Sequence, residues 1–181
     1  MKPKKQHERG SVLVLALICV LILSFLVEGI LDVNGTAGAP ATFGSDAPLP
    51  QSGDWRGLNL ASVGSSPTSL EHASVRFADR GLEVRGSAPV TLDAVTAQDN
   101  QTGLYVQGSG PPTVNATGCS FVENNNYGVH ALRYFGFPNP TVEIHDSSIH
   151  SNSGEIDLIV QHNADADTTI FDARNNRWGP P

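Results

Sequence analysis

The residues best suited to chemistry form a short cluster in the second half of the chain. Glu143, His145, Asp146 and His150 lie within eight positions of one another. Two carboxyl groups about 5 to 9.5 Å apart can cleave a glycosidic bond, so an acidic pair in this region would suit glycoside hydrolysis. The same cluster offers metal-binding residue types, but His-Asp-x-x-x-His is no established zinc spacing. The sequence therefore predicts no metal site here.

The elements that must position this cluster are repeated. Five Asn- and Asp-rich turns each end in a glycine, and Gly57 extends the series by one interval upstream. The intervals between these glycines are nearly equal, at roughly 25 residues, and a period in this range predicts a solenoid or another repeat architecture. The five glycines are Gly81, Gly103, Gly128, Gly154 and Gly179.

Alternating apolar residues flank each turn, which indicates short β-strands on either side of it. A unit of about 25 residues cannot bury its own apolar side, whereas stacked units bury one another. We expect asparagines at equivalent turns, Asn100, Asn125, Asn152 and Asn176, to form ladders. The predicted inward side chains are Leu70, Val75, Leu82, Val84, Leu92, Val95, Leu104, Val106, Val114, Cys119, Phe121, Val142, Ile144, Ile149, Ile156, Leu158, Val160 and Ile170.

Two patterns resemble a known family. Gly-Leu-x-Val follows the turns, and the chain closes on Asp172-Ala-Arg-Asn-Asn-Arg-Trp-Gly179. Over about residues 55–179 these resemble right-handed parallel β-helix proteins of the pectate-lyase-like class. The resemblance implies an all-β, right-handed parallel β-helix of about five to six turns. The alternative, an antiparallel β-sandwich, fits the regular glycine spacing less well.

In such a fold, the catalytic candidates would share a flat outer sheet, where β-helix polysaccharide enzymes place their sites. Asp93 and Asn115 would stack beside Glu143, with Asp93 two turns away at roughly 9.6 Å. The polygalacturonase motifs and the paired basic motif of the lyases do not occur, which argues against catalysis. The predicted catalytic candidates are thus Glu143, Asp146, His145, His150 and Asp93. No cofactor is predicted. A Ca²⁺ site at residues 163–167 is the alternative, but this segment lacks the Gly and the closing Glu of a calcium-binding loop.

Aromatic residues offer a second route to sugar recognition. Tyr105, Tyr127 and Trp178 could stack on pyranose rings, since aromatic faces pack against apolar surfaces. An insertion at residues 132–140 lengthens one turn, and it is the segment where apolar side chains are expected to protrude. The predicted binding residues within it are Arg133, Tyr134 and Phe135.

Residues 1–31 predict export. Four basic residues precede an apolar run from Val12 to Val27, the pattern of a signal peptide or membrane anchor. One prediction is cleavage near Ala39, and a second is an uncleaved hydrophobic helix that holds residues 11–31 in the membrane. A third is cleavage after Gly10, because the leader resembles those of type IV prepilin-like proteins.

Residues 32–54 are rich in Gly, Ala, Pro and Ser and predict a flexible linker or N-cap before a β-helix domain at 55–181. After Leu31 the chain carries sixteen acidic residues, seven arginines and no lysine, a net charge of −9. Such a surface disfavours nucleic acid. Cys119 lies in a predicted strand, and its pairing with Cys19 of the apolar run is not expected.

These observations predict an exported cell-envelope module, membrane-anchored or secreted, that binds polysaccharide or a partner without catalysis. One alternative is a polysaccharide lyase or glycoside hydrolase acting on the outer sheet face, and another is a minor pilin-like subunit. We also expect the open C-terminal end of the solenoid to permit oligomerisation, since an uncapped end exposes strand edges.

Overall fold

The computed structural model describes residues 31–62, 67–107, 112–133, 140–153, 156–162 and 170–179. Every element in this part of the chain is a β-strand, and every strand pairs in parallel with its equivalent one turn away. The predicted hydrophobic helix lies outside the described residues. Within them, no helix has the length and hydropathy that a membrane crossing requires.

The strands form three sheets that run along the solenoid. Sheet 1 contains β1 (Asp32–Asn34), β4 (Thr68–Glu71), β7 (Pro89–Asp93), β10 (Thr113–Thr117), β13 (Thr141–His145) and β16 (Ile170–Asp172). Sheet 2 contains β2 (Ala41–Phe43), β5 (Ala73–Arg76), β8 (Thr96–Gln98), β11 (Ser120–Val122), β14 (Ser148–His150) and β17 (Arg177–Trp178). Sheet 3 contains β3 (Leu58–Ser62), β6 (Arg80–Gly86), β9 (Thr102–Gln107), β12 (Tyr127–Arg133) and β15 (Ile156–His162).

The all-β parallel solenoid is confirmed, but it has about four regular turns instead of the predicted five to six. These turns are β4–β6, β7–β9, β10–β12 and β13–β15. At one end residues 44–57 separate β2 from β3, and at the other β16 and β17 form a partial layer. Gly179 follows β17 of sheet 2 and does not enter sheet 3. The prediction from the glycine spacing therefore included this incomplete layer as a full turn. Right-handedness remains a prediction.

The predicted core is confirmed wherever the structure describes it. Equivalent residues stack in register along each sheet, as in Leu70, Leu92, Ala116 and Ile144 of sheet 1. Leu158 and Val160 are partly buried, and the side chains of Ile156 and Ile170 lie outside the described part. The fully buried members include Leu70, Val75, Leu82, Val84, Leu92, Val95, Leu104, Val106, Val114, Cys119, Phe121, Val142, Ile144 and Ile149.

Two columns of left-handed backbone form the corners between the sheets. At the corner where sheet 1 passes to sheet 2, the residues with positive φ are His72, Ala94, Gly118, Asp146 and Asn175. A second column occupies the corner between sheets 2 and 3. A single left-handed residue redirects the chain without a long loop, which lets consecutive strands join different sheets. The members of the second column are Phe77, Asp99, Glu123 and Ser151.

A buried asparagine ladder follows the second corner. The backbone N–H of Asn100 donates to Oδ1 of Asn124 at 3.0 Å, and that of Asn124 donates to Oδ1 of Asn152 at 2.9 Å. The side-chain Nδ2 groups donate along the same column, from Asn100 to Asn124 and from Asn124 to Asn152. These bonds satisfy backbone groups that the corner leaves without a strand partner.

The ladder differs in two members from its prediction. Asn124 occupies the buried position, whereas the predicted Asn125 is exposed. Asn176 belongs to the other corner, where its Oδ1 accepts from the backbone N–H of Ser147 at 2.9 Å. Periodicity alone could not choose among the three consecutive asparagines at residues 124–126.

Glycines beside the ladder are required by space. A Cβ on Gly103 would lie 2.6 Å from the carbonyl oxygen of Gly128 and 2.9 Å from Nδ2 of Asn124. Gly81 faces the same crowding from Asn100 and Gly103. The glycine series stops at Gly128, because Asp157 is the residue beside Gly128 in the next strand, and its Oδ1 accepts from Nδ2 of Asn152 at 2.9 Å.

The pKa of the buried Cys119 thiol is strongly raised. Burial raises its pKa to about 11 from an ordinary value of 9.0, and the negative charge of Asp93 adds to this effect. Its sulfur lies 3.5 Å from the carbonyl oxygen of Leu92. Since burial disfavours the thiolate, Cys119 packs as a small apolar group and is poorly suited to act as a nucleophile.

We predict that Asn124→Ala lowers the free energy of unfolding by about 3 kcal/mol, because it leaves buried backbone groups without partners. Asn125→Ala, one residue away but exposed, should change it by less than about 0.5 kcal/mol. Urea unfolding followed by circular dichroism measures both values. Equal effects of the two substitutions would contradict a structural role for the ladder.

We also predict a stability loss at high pH. The thiol of Cys119 ionises above about pH 9 in the unfolded chain but only near pH 11 in the folded one, because its folded-state pKa is raised. Below pH 9 its contribution is fully present, and between pH 9 and 11 stability should fall by about 1.4 kcal/mol per pH unit. The measurement is unfolding free energy against pH, compared with Cys119→Ala. Parallel curves for the two proteins would show that this thiol titrates normally.

Candidate functional site

An outward-facing row of side chains crosses sheet 3. Asn59, Glu83, Tyr105 and His130 are partners in register on β3, β6, β9 and β12. Each lies between two inward apolar residues of its own strand, so the two-residue alternation of a strand turns it outward. We call these four residues the outer row.

Glu83 is buried although it faces outward, with only 1% of its surface exposed. Nη1 of Arg80 donates to its Oε1, as do Nε and Nη2 of Arg85, at 2.8 and 2.6 Å. Nε of Arg56 lies 3.9 Å from Oε2. A buried carboxylate is tolerated only when opposite charges and hydrogen bonds compensate its lost hydration. Glu83 therefore fixes the guanidinium groups above it.

Aromatic contacts continue the row beyond Glu83. The guanidinium carbon of Arg80 lies 3.9 Å from the centre of the Tyr105 ring. His130 meets Tyr105 edge-on at 5.1 Å between ring centres and tilts against Tyr127 at 4.9 Å. Cation–π and edge-to-face geometries both stabilise such arrangements. The result is an unbroken strip of side chains from the arginines to Tyr127.

The loop at residues 44–57 brings Arg56 to this strip. Backbone N–H groups of Gly53 and Asp54 donate to the carbonyl of Phe77, and the indole N–H of Trp55 donates to the carbonyl of Arg76 at 2.8 Å. A cavity of about 400 Å³ opens between this loop and β6. Its size is within the usual range of ligand sites. The residues that line it are Gly53, Asp54, Trp55, Arg56, Asp79, Arg80 and Arg85.

The predicted catalytic pair is not in register. Asp93 pairs with Thr117, and Thr117 pairs with His145, so Asp93 stacks in line with His145 instead of Glu143. The prediction that Asn115 lies beside Glu143 is confirmed. The residue of β7 that pairs with Asn115 is Thr91, and Asp93 lies two residues further along the same strand. The prediction placed Asp93 at the position that Thr91 occupies.

The other catalytic candidates are distributed over different faces. Asp146 is exposed at the corner after β13, with a φ of 50°. His150 lies on β14 of sheet 2, where its Nδ1 is 3.0 Å from Oγ of Ser151. His145 lies on sheet 1, with Nε2 3.9 Å from Oδ2 of Asp172. The cluster that is compact in the sequence is therefore divided between two sheets and a corner.

Carboxylate pairs at the spacing of adjacent strands occur in two places on sheet 1, and one of them is Glu71 on β4 with Asp93 on β7. The other is Glu143 on β13, which is in register with Asp172 on β16. Arg174 donates from Nε to Oδ1 of Asp172 at 2.9 Å and, with a smaller contribution from the charge of His145, holds the pKa of Asp172 below its usual value. Neither pair was predicted.

The remaining predicted residues are the cleavage, loop and calcium-site candidates and the N-terminal linker. Gly10, Tyr134, Phe135 and the proposed calcium segment lie outside the described residues, and of Arg133 only the backbone is described. Ala39 occupies an exposed turn between β1 and β2, with its N–H bonded to the carbonyl of Thr36 at 3.0 Å. Residues 32–54, predicted as a linker or N-cap, contribute β1 and β2 to the sheets.

No group of three or more His, Cys, Asp or Glu side chains suited to a metal ion occurs in the described part of the chain. The arginine-lined cavity was missed by sequence reasoning. A signal was available, because the third position of each Gly-Leu-x-Val repeat supplies Glu83 and Tyr105. The closure of the cavity by Arg56 depends on a long loop that follows no period.

Comparisons with known proteins add no relative. No family model, no curated protein and no solved structure matches this chain.

Proposed function

We propose that this chain is an exported cell-envelope β-helix module that binds a polysaccharide and leaves it intact. The observation that carries the proposal is the outer row of sheet 3 with the arginines and Tyr127 beside it. The row spans roughly 14 Å from Asn59 to His130 at strand spacing. Its two middle members, Glu83 and Tyr105, are buried and hold Arg80 at the surface above them. A straight strip of this length suits an extended polymer better than a small compact ligand. Export rests on the basic and apolar character of residues 1–31.

The chemistry of the strip matches that of a sugar chain. A pyranose ring offers apolar C–H faces and an edge of hydroxyl groups. Aromatic rings such as Tyr127 pack against the apolar faces, while arginine, asparagine and histidine side chains donate hydrogen bonds to the hydroxyl oxygens. The contact between Tyr127 and His130 holds both rings in place before any ligand arrives. Rings ordered in advance lose less entropy on binding.

The state of Glu83 favours binding over hydrolysis at this face. A catalytic acid must reach the glycosidic oxygen of the substrate. Oε1 of Glu83 instead accepts from two guanidinium groups, and the side chain is buried beneath them. Glu83 is therefore suited to orient arginines and poorly placed to touch a substrate.

A glycoside hydrolase is the second candidate, favoured by the register of Glu143 with Asp172. Adjacent strands lie roughly 4.8 Å apart, close to the carboxyl separation of retaining enzymes. Because Arg174 lowers the pKa of Asp172, that group is suited to act as an ionised nucleophile, with Glu143 as the second carboxyl group of the pair. Release of reducing sugar that disappears in Glu143→Gln would establish this activity.

We predict that Tyr127→Ala and His130→Ala each weaken binding to the preferred polysaccharide about tenfold, equal to about 1.4 kcal/mol. A glycan array identifies the ligand, and calorimetry with the full chain measures the affinities. Thr91→Ala, on the exposed outer face of sheet 1, is the control and should bind like the unaltered protein.

Two outcomes would contradict the proposal. One is that the protein binds no glycan on the array. The other is that Thr91→Ala weakens binding while Tyr127→Ala and His130→Ala do not, which would move the binding surface to sheet 1.

A further inference from the structure

We infer that the cavity of about 400 Å³ beside Glu83 is a subsite for an uncharged, hydroxyl-rich sugar unit. The inference rests on the proposed function, which it deepens by naming the class of sugar. The observations behind it are the charges that line the cavity and the distribution of hydrogen-bond donors and acceptors on its walls.

The charges in and beneath this cavity cancel. Three arginines line it, Arg56, Arg80 and Arg85. Two of its lining residues are carboxylates, Asp54 and Asp79, and the buried Glu83 beneath it supplies a third. Formal charges of three and minus three leave no net charge.

The cavity also contains fixed negative charge that would repel an anion. Oδ2 of Asp54 accepts from the backbone N–H of Gln51 at 2.9 Å and from Oγ of Ser45 at 2.8 Å. These hydrogen bonds lower the pKa of Asp54, so it remains ionised at neutral pH. Asp79 is a second, exposed carboxylate of the lining. The carboxylate of an acidic sugar would enter between like charges, an arrangement that disfavours binding.

A hydroxyl group, by contrast, fits both kinds of wall. It donates one hydrogen bond and accepts others, whereas an ionised carboxylate only accepts. Arg80 and Arg85 use some of their N–H groups on Glu83, and a guanidinium has five, so donors remain for sugar oxygens. Asp79 supplies an acceptor for sugar O–H groups, and the half-buried ring of Trp55 supplies an apolar surface for C–H groups.

Arg56 completes the site as the exposed member of the arginine group. Its side chain is 72% exposed, compared with 29% for Arg80. Its Nε is 3.9 Å from Oε2 of Glu83, beyond hydrogen-bond distance, and Oε2 has no hydrogen-bond partner among the described residues. Arg56 thus has donors to offer a ligand, while Glu83 acts as a positioning residue for the other two arginines.

The test uses calorimetry of the full chain with neutral pentasaccharides of glucose, mannose and galactose and with the pentamer of galacturonic acid. We expect at least one neutral pentamer to bind ten times more tightly than the acidic one. Arg56→Met should weaken neutral binding about tenfold. Arg177→Met, which changes another exposed arginine on β17, should leave it unchanged.

Asp79→Asn gives the sharpest result, because it removes a negative charge and a strong acceptor together. It should weaken binding of the neutral pentamer and strengthen binding of the acidic one, so the two affinities move in opposite directions. Asp46→Asn, in the exposed part of the loop at residues 44–57, should move neither.

The inference is overturned if the acidic pentamer binds more tightly than every neutral one, or if Asp79→Asn leaves their ratio unchanged. If Tyr127→Ala and His130→Ala still weaken binding of the pentamer that binds most tightly, the proposed function stands. Only the assignment of the cavity to an uncharged sugar is then wrong. If no pentamer binds although the array shows a ligand, the subsite is wrong and the proposed function stands; if the array shows no ligand either, both are wrong.

Discussion

The column where asparagines meet glycines constrains the whole solenoid. At the corner between sheets 2 and 3, Asn100, Asn124 and Asn152 replace the missing strand partners of successive backbone groups. The strand that follows must pass so close that only glycine fits, as at Gly103. Buried amide groups without partners are costly, and a Cβ in that space would collide with backbone. Each turn can therefore stack on the next in one register only.

That register determines both surfaces of the sheets. Inward side chains align into apolar rows, which bury what a single turn would leave exposed. Outward side chains align through the same strand register. Glu83, Tyr105 and His130 are therefore neighbours, although more than twenty residues separate each from the next. The arginines then assemble around Glu83 because a buried carboxylate needs their charge. The candidate binding face is in this sense a consequence of the stacking that stabilises the fold.

The sequence predicted the parts of this structure that depend on periodicity. The glycine spacing and the two-residue alternation predicted a parallel solenoid and its inward rows. Prediction failed where corners differ by a residue or two: Asn124 instead of Asn125 joins the ladder, and Asp93 aligns with His145 instead of Glu143. It also failed for Arg56, since a long, non-repeating loop brings that residue to Glu83. Contacts between a loop and a distant strand have no signature in local pattern.

The most direct test of this account is amide hydrogen exchange at the ladder. The backbone N–H groups of Ala78, Asn100 and Asn124 each donate to a buried asparagine Oδ1. If the ladder fixes the stacking, these three amides should exchange only through global unfolding, with a free energy of exchange equal to the free energy of unfolding. Exchange as rapid as that of Asp46 in the exposed loop would show that the corner opens locally, and would contradict the account.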